Sequence, residues 1–108
     1  MLRVEFHEDS RGRLSSLFAR GHVEYALEAE DVICAAASAI LQTAWLGLQE
    51  HLSIGVEAER SPGLLRLRWG EDGRASREAQ AVLGTARLAI EILARQYPEN
   101  IAVSTARD

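Results

Sequence analysis

The sequence has only one cysteine, and this scarcity already limits what the protein can be. One thiol cannot form an internal disulfide, and it cannot supply the several sulfur ligands of a Cys-rich zinc site. The 108 residues suffice for one domain with a core of its own, so we predict a single domain, 1–108. With 47% hydrophobic and 26% charged residues, the composition excludes a disordered or collagen-like chain.

Positive charge is also scarce. The 12 basic and 16 acidic residues give a net charge of −4 and a pI of about 5.4, whereas dedicated nucleic-acid-binding proteins carry a basic patch and a high pI. We therefore expect no direct nucleic-acid partner. The longest apolar stretch, 32–48, contains polar residues and is shorter than the roughly 20 residues of a membrane span. It predicts a buried helix and no membrane partner.

No signal peptide is visible at the N-terminus, where polar and apolar residues alternate from the start. We therefore expect a cytoplasmic protein, in which a lone cysteine stays reduced. The alternation over 2–7 predicts a half-buried strand. A turn at Gly12 follows, and Leu14, Ser16 and Phe18 then occupy alternate positions again. The first twenty residues are therefore predicted to form a β-hairpin.

Helical spacing of apolar residues appears twice. Residues 32 to about 51 are apolar nearly all round, which predicts a helix packed on several sides, with Asp31 as a plausible N-cap. Residues 22–30 show neither period and are predicted as a loop. A second, amphipathic helix is predicted from residue 75 or 76 to about 96, where Pro98 ends it.

A second hairpin is predicted over 53–60 and 64–69, around Pro62 and Gly63, and a short closing strand over 101–104. The element order is therefore ββαββαβ. We predict an α+β fold in which a mainly antiparallel sheet packs with two helices.

Cys34 and His22 are the residues best placed for catalysis. Cys34 falls in the first turn of the first predicted helix, where free amide N–H groups and the helix dipole favour a thiolate. The alternative is a small buried hydrophobic residue. His22 ends the second predicted strand, just before the loop, where a rigid element can hold a catalytic side chain.

Asp31 has two competing interpretations. As an N-cap it accepts a backbone N–H, whereas as an orienting residue it would hold the His22 ring in the required tautomer. The remaining histidines, His7 and His51, are predicted to be surface residues. No two of Cys34 and the three histidines have the spacing of metal ligands, so we predict no metal and no cofactor.

The Gly21-His22 pair, followed after a loop by Asp31-Val32-Ile33-Cys34-Ala35, resembles the bacterial ribosomal-processing cysteine protease family. The two motifs cover 21–39. The resemblance implies an endopeptidase that removes the N-terminal extension of a large-subunit ribosomal protein, the twenty-seventh of the series. Cys34 then matches the nucleophile, His22 the general base, and Asp31 an acidic residue whose role stays open.

The resemblance also implies a homodimer with a substrate loop over the active site. Two positions depart from the family pattern, because Val23 replaces a usual alanine and Ala29 a usual glycine, which should stiffen that loop. Ala35 would keep the helix start open to a peptide, and Ser38 would hydrogen-bond within the site or back to its own helix. The residues matched to the substrate loop are Gly21, Val23, Glu24, Tyr25, Ala29 and Glu30.

The mechanism implied is acyl transfer, in which amides at the start of the helix stabilise the oxyanion. A second class of function stays open. In that alternative the protein is a non-catalytic, dimeric, ribosome-associated binding module, and Cys34 is a core residue. Its docking surface would be acidic, formed by Glu24, Glu28, Glu30 and Asp31.

Overall fold

The structure, a computed structural model, describes residues 1–21 and 28–108, with side chains except those of 28–31. Its elements follow the predicted order, with one short helix added at Glu71–Ala75. A π-helical turn at Gly47–His51 extends the first helix to its predicted end. The elements are β1 (Leu2–Glu8), β2 (Leu14–Arg20), α1 (Glu28–Leu46), β3 (Val56–Ser61), β4 (Leu64–Trp69), α2 (Glu71–Ala75), α3 (Arg77–Gln96) and β5 (Ile101–Arg107).

The five strands form one sheet in the order β3-β4-β2-β1-β5. All neighbouring strands are antiparallel except β1 and β5, which are parallel. The parallel pair arises because α3 carries the chain back along the sheet before β5 begins, as a crossover requires. The predicted α+β fold with a mainly antiparallel sheet is confirmed.

The core lies between one face of the sheet and the helices α1 and α3. Phe6 of β1, Leu17 of β2, Leu41 of α1 and Ile90 of α3 are at most 1% exposed and belong to one cluster. Burial of each such side chain contributes about 1.5–3 kcal/mol. The opposite face of the sheet carries no described helix.

The predicted alternation of β2 is wrong by one residue. Leu14 is buried, but the next inward side chains are Leu17 and Ala19, while Ser16 and Phe18 face the other side. The cause is a β-bulge, since the pairing with β1 shifts between His7 and Glu8 and leaves Ser15 as the extra residue. A bulge inserts one residue and so reverses the inward and outward positions beyond it.

The start of α1 also differs from the prediction. The helix begins at Glu28, so Asp31 lies inside it and is not the N-cap, and Cys34 lies in the second turn. Glu28, Ala29 and Glu30 therefore belong to the helix and not to the predicted loop. Their sequence explains the earlier start, because alanine and glutamate are good helix formers and acidic residues are favoured in a first turn.

One face of α1 is buried, which corrects the prediction that it packs on several sides. Ile33, Ala37 and Leu41 face the core, whereas Val32 is 64% and Leu46 60% exposed. The stretch Val32–His51 is long and apolar enough to cross a membrane by length and composition alone. That is weak evidence, because core helices of globular folds meet the same criterion.

The second long helix is as predicted. Ser76 is its N-cap, and its hydroxyl accepts a hydrogen bond from the backbone N–H of Ala79 at 3.1 Å. The helix ends at Gln96, before Pro98. The closing strand β5 is longer than predicted because it pairs with β1 along its whole length, from Leu2 to Glu8.

Candidate active site

A pocket of about 550 Å³ opens at the end of the sheet where β2 leaves it. Its walls come from the first residues of β1, the end of β2, one side of α1 and the β3–β4 hairpin. Most of the lining is apolar, so the pocket suits an apolar group. It is lined by Leu2, Ala19, Gly21, Cys34, Ser38, Leu41, Gln42, Arg60, Ser61, Pro62, Gly63, Leu64 and Leu65.

Cys34 lies on the wall formed by α1 and is half-buried. Helical spacing of four places Cys34, Ser38 and Gln42 in one row along the pocket. The side-chain amide of Gln42 donates a hydrogen bond to Ser38 Oγ at 2.8 Å. Ser38 thus accepts a hydrogen bond from a residue of its own helix that lines the same pocket wall. Ala35 is exposed and lies outside the pocket lining.

Gly21 forms the corner from which the chain leaves β2 toward His22. Its φ is +120°, and a Cβ here would collide with the carbonyl oxygen of Met1. Its amide donates a hydrogen bond to the carbonyl of Gly63 at 3.1 Å. Only glycine fits this backbone angle and this close approach. Gly21 therefore packs closely against the backbone of Met1 and is hydrogen-bonded to the β3–β4 hairpin.

The β3–β4 hairpin forms the wall that sequence reasoning missed. Its turn, around Pro62 and Gly63, borders the pocket, and Arg60 on β3 brings a positive charge to the rim. The Pro-Gly pair predicted the turn but gave no sign that it would face Cys34. In the sequence, Gln42 was noted only as a polar residue within an apolar stretch. Its position two helical turns after Cys34 is the signal that would have placed both residues on one side of the helix.

The remaining predicted site residues cannot be placed as side chains. His22, Val23, Glu24 and Tyr25 lie outside the described residues. Ala29, Glu30 and Asp31 fall on the first turn of α1, where only the backbone is described. The earlier start of α1 also changes the chemistry at Cys34. Its backbone N–H lies beyond the four unpaired amides of the helix start and is not available to an oxyanion.

The other histidines lie away from the pocket. His7 Nε2 lies 2.8 Å from Glu5 Oε1 on the sheet face opposite the helices, and His51 is exposed at the end of the π-helical turn. Among residues 1–21 and 32–108, no group of three or more His, Cys, Asp or Glu side chains could hold a metal ion.

A network of ion pairs stabilises the opposite end of the sheet. Glu8 accepts hydrogen bonds from Arg87 of α3 at 3.2 Å and from Arg107 of β5 at 3.1 Å. These two hydrogen bonds lower the pKa of the Glu8 carboxyl below its ordinary value. At the β1–β2 turn, burial alone would raise the pKa of Asp9. Hydrogen bonds from the backbone amides of Arg13 and Arg11, together with the Arg13 guanidinium, outweigh burial and hold this pKa below its ordinary value.

Comparison with known families gives a match over nearly the whole chain. The family model described as cysteine protease Prp matches residues 1–102. Among curated proteins, no significant match was found.

Solved structures share the fold at low sequence identity. The essential ribosomal processing protease Prp from S. aureus, in complex with a substrate peptide, superposes with a TM-score of 0.86 at 21% identity and covers 97% of this chain and 99% of its own. The same protease with a covalently linked product peptide gives 0.86 at 22% identity over the same shares. SMU.848 from Streptococcus mutans gives 0.85 at 19%, covering 100% and 96%.

Proposed function

Since the chain belongs to the cysteine protease Prp family, we propose that it is the endopeptidase that removes the N-terminal extension of the twenty-seventh large-subunit ribosomal protein. The observation that carries the proposal is the position of Cys34, the only thiol, on the wall of the 550 Å³ pocket. The S. aureus ribosomal processing protease, which has a similar fold, was solved with a substrate peptide, and this supports a peptide as the ligand of the pocket. Family membership disfavours the alternative of a non-catalytic binding module.

The proposed nucleophile is Cys34, and the proposed general base is His22. His22 takes the thiol proton, the thiolate attacks the scissile carbonyl carbon, and a tetrahedral intermediate forms. His22 then gives the proton to the leaving amine as the C–N bond breaks, and water hydrolyses the thioester to release the acyl group and free thiol. Asp31 is proposed to act on the orientation of His22, since its place inside α1 excludes the N-cap role.

The oxyanion needs a donor other than the helix start, because Cys34 lies in the second turn of α1. We assign this role to the Ser38 hydroxyl, one turn beyond Cys34 on the same pocket wall. Gln42 donates to Ser38 Oγ and so fills an acceptor position of the hydroxyl, which leaves the Ser38 proton to be donated to another group.

The proposed substrate is a peptide laid between α1 and the β3–β4 hairpin. The apolar lining from Leu2, Leu41 and Leu65 suits an apolar side chain next to the scissile bond. The acidic residues near the start of α1 would attract a basic ribosomal protein tail, so association should slow as salt rises. Because ribosomal proteins are made in the cytoplasm, we propose that the enzyme acts there.

We also propose a homodimer built on α1 and α3. An apolar groove of about 520 Å³ runs between these helices, lined by alanines and by Ile40, Val82 and two threonines. Leu46 on α1 and Leu88 on α3 are more than half exposed. Contiguous apolar surface of this kind marks association sites, and the family resemblance makes a second copy the partner.

Thiol reactivity tests the proposed dyad. Alkylation of Cys34 by iodoacetamide is followed against pH in the native protein and in His22→Ala. The proposal predicts a reactive thiol whose apparent pKa lies below the free value of about 8.5 and shifts when His22 is removed. A thiol that reacts only after denaturation would reject the dyad.

A further inference from the structure

The sheet face turned away from α1 and α3, here called the open face, carries one more basic than acidic side chain among the described residues of the sheet. Its four arginines are Arg3 on β1, Arg20 on β2, and Arg66 and Arg68 on β4. Its three glutamates are Glu5 on β1 and Glu57 and Glu59 on β3, and Glu59 is paired with Arg66 at 3.3 Å. All four arginines are exposed. The whole chain has 12 basic and 16 acidic residues. The open face is therefore net positive on a net negative protein.

Arg3 and Arg20 face each other directly across β1 and β2. Like charges in this position destabilise a sheet unless an anion lies between them. Among the described residues, neither arginine has an ion-pair partner. The guanidinium group matches phosphate oxygens in a bidentate geometry, so this pair is suited to a phosphate.

A shallow depression of about 240 Å³ lies beside the arginine pair, over Phe18. Phe18 is half-buried at the centre of the sheet, and the guanidinium carbon of Arg66 lies 4.9 Å from the centre of its ring. Arg68, His7 and Glu5 also line the depression, and Glu5 Oε1 lies 2.8 Å from His7 Nε2. An aromatic ring with a stacked guanidinium is the kind of platform on which unpaired bases stack.

From these observations we propose that the open face binds single-stranded RNA. A base stacks in the depression over Phe18 and Arg66, while phosphates contact Arg68 at one end and the Arg3–Arg20 pair at the other. Ser16, which pairs with Arg68, and Arg20 are four residues apart on β2, so these phosphate sites are about 13 Å apart. The site is additional to the proteolytic pocket. It departs from the sequence expectation of no direct nucleic-acid partner, which rested on the net charge and pI of the whole chain.

Fluorescence anisotropy with a short fluorescein-labelled oligouridine, at low and then rising salt, tests the proposal. The native protein should bind, and affinity should fall steeply with salt. Arg68→Glu should weaken binding about tenfold or more, and Arg3→Glu likewise. The matched control is Arg77→Glu, an exposed arginine at the start of α3, which should change binding by less than about twofold.

Removal of the Phe18 ring distinguishes binding of RNA, whose bases stack, from binding of a polyanion that has no bases. Phe18→Leu keeps the apolar volume but removes the ring, and it should weaken oligouridine binding about fivefold or more. Unlabelled oligouridine should displace the probe, whereas polyglutamate should not. Thermal unfolding of each variant establishes that it is folded, and hydrolysis of a short peptide by Arg68→Glu, which lies outside the proteolytic pocket, should be unchanged.

Three results would overturn the proposal. The first is no binding of oligouridine by the native protein at low salt. The second is an equal loss in Arg77→Glu and Arg68→Glu, which would indicate unspecific attraction. The third is binding that is insensitive to Phe18→Leu and displaced by polyglutamate, which would assign the face to an acidic peptide. None of these results depends on proteolysis, so this proposal can fail while the proposed function stands.

Discussion

Gln42 Nε2 donates a hydrogen bond of 2.8 Å to Ser38 Oγ inside the pocket that Cys34 also lines. The three residues form a row along α1, each one turn from the next. The bond fixes which way the Ser38 hydroxyl can point, because one of its acceptor positions is already filled. Gln42 is thereby a positioning residue for the proposed oxyanion donor.

Gln42→Leu should lower kcat/KM for peptide hydrolysis about threefold to tenfold, the worth of one neutral hydrogen bond. The loss should appear mainly in kcat, since the interaction serves the transition state. Gln42→Glu should not restore activity, because a carboxylate would accept the Ser38 proton. Gln96→Leu, an exposed glutamine at the end of α3, is the matched control. Equal rates in the native protein and the three variants would show that Gln42 has no positioning role.

Gly21→Ala should destabilise the protein. The positive φ of +120° is unfavourable for any residue with a Cβ, at roughly 1–2 kcal/mol, and the clash with the Met1 carbonyl adds to it. Gly84→Ala is the matched control, because a Cβ there meets no atom within 4 Å and alanine should stabilise the helix by about 0.5–1 kcal/mol. Thermal unfolding should move in opposite directions for the two variants. A neutral Gly21→Ala would show that the corner is not constrained.

Stability should fall as the pH falls through the range below 4.5 in which Glu8 titrates. Its pKa is lowered in the folded state by hydrogen bonds from Arg87 and Arg107, so the unfolded chain binds the proton first and acid favours unfolding. In Glu8→Gln this part of the acid dependence should disappear, and stability at neutral pH should be lower. Glu99→Gln, at an exposed position between α3 and β5, should keep the native profile. Urea unfolding at several pH values measures both slopes, and parallel slopes for native protein and Glu8→Gln would contradict the assignment.

A charge in the groove between α1 and α3 should prevent dimerisation. Thr85→Glu places a carboxylate in the apolar groove, where its desolvation on association would be costly. Gln96→Glu makes the same change of charge at an exposed position outside the groove lining. Light scattering after size exclusion should give a dimer for native protein and Gln96→Glu, and a monomer for Thr85→Glu. A dimer in all three would place the interface elsewhere.

Local patterns predicted the elements well but not the irregularities within them. The hairpins and Gly12 with its positive φ follow from nearest-neighbour chemistry. The bulge at Ser15 does not, because it depends on which β2 residues pair with β1. The earlier start of α1 was not predicted because residues 28–30 were assigned to a loop. Acidic residues in that stretch also favour the start of a helix.

The part of the pocket wall formed by one short sequence motif was predicted, whereas the part formed by residues distant in sequence was not. Cys34, the nucleophile that the motif predicts, lies on the pocket wall. The hairpin wall with Arg60 was missed because only the tertiary fold brings it opposite α1. The placement of His22 and the contacts of Asp31 remain predictions from the sequence.

Intact mass analysis of the extended ribosomal protein, incubated with native protein or with Cys34→Ala, tests whether Cys34 is the nucleophile of the proposed cleavage. Cys34 lies on the pocket wall and is the only thiol in the chain. We expect the native protein to remove the N-terminal extension at one peptide bond, and Cys34→Ala, folded to the same degree, to leave the substrate intact. Cleavage at the same bond by Cys34→Ala would refute the role of this thiol.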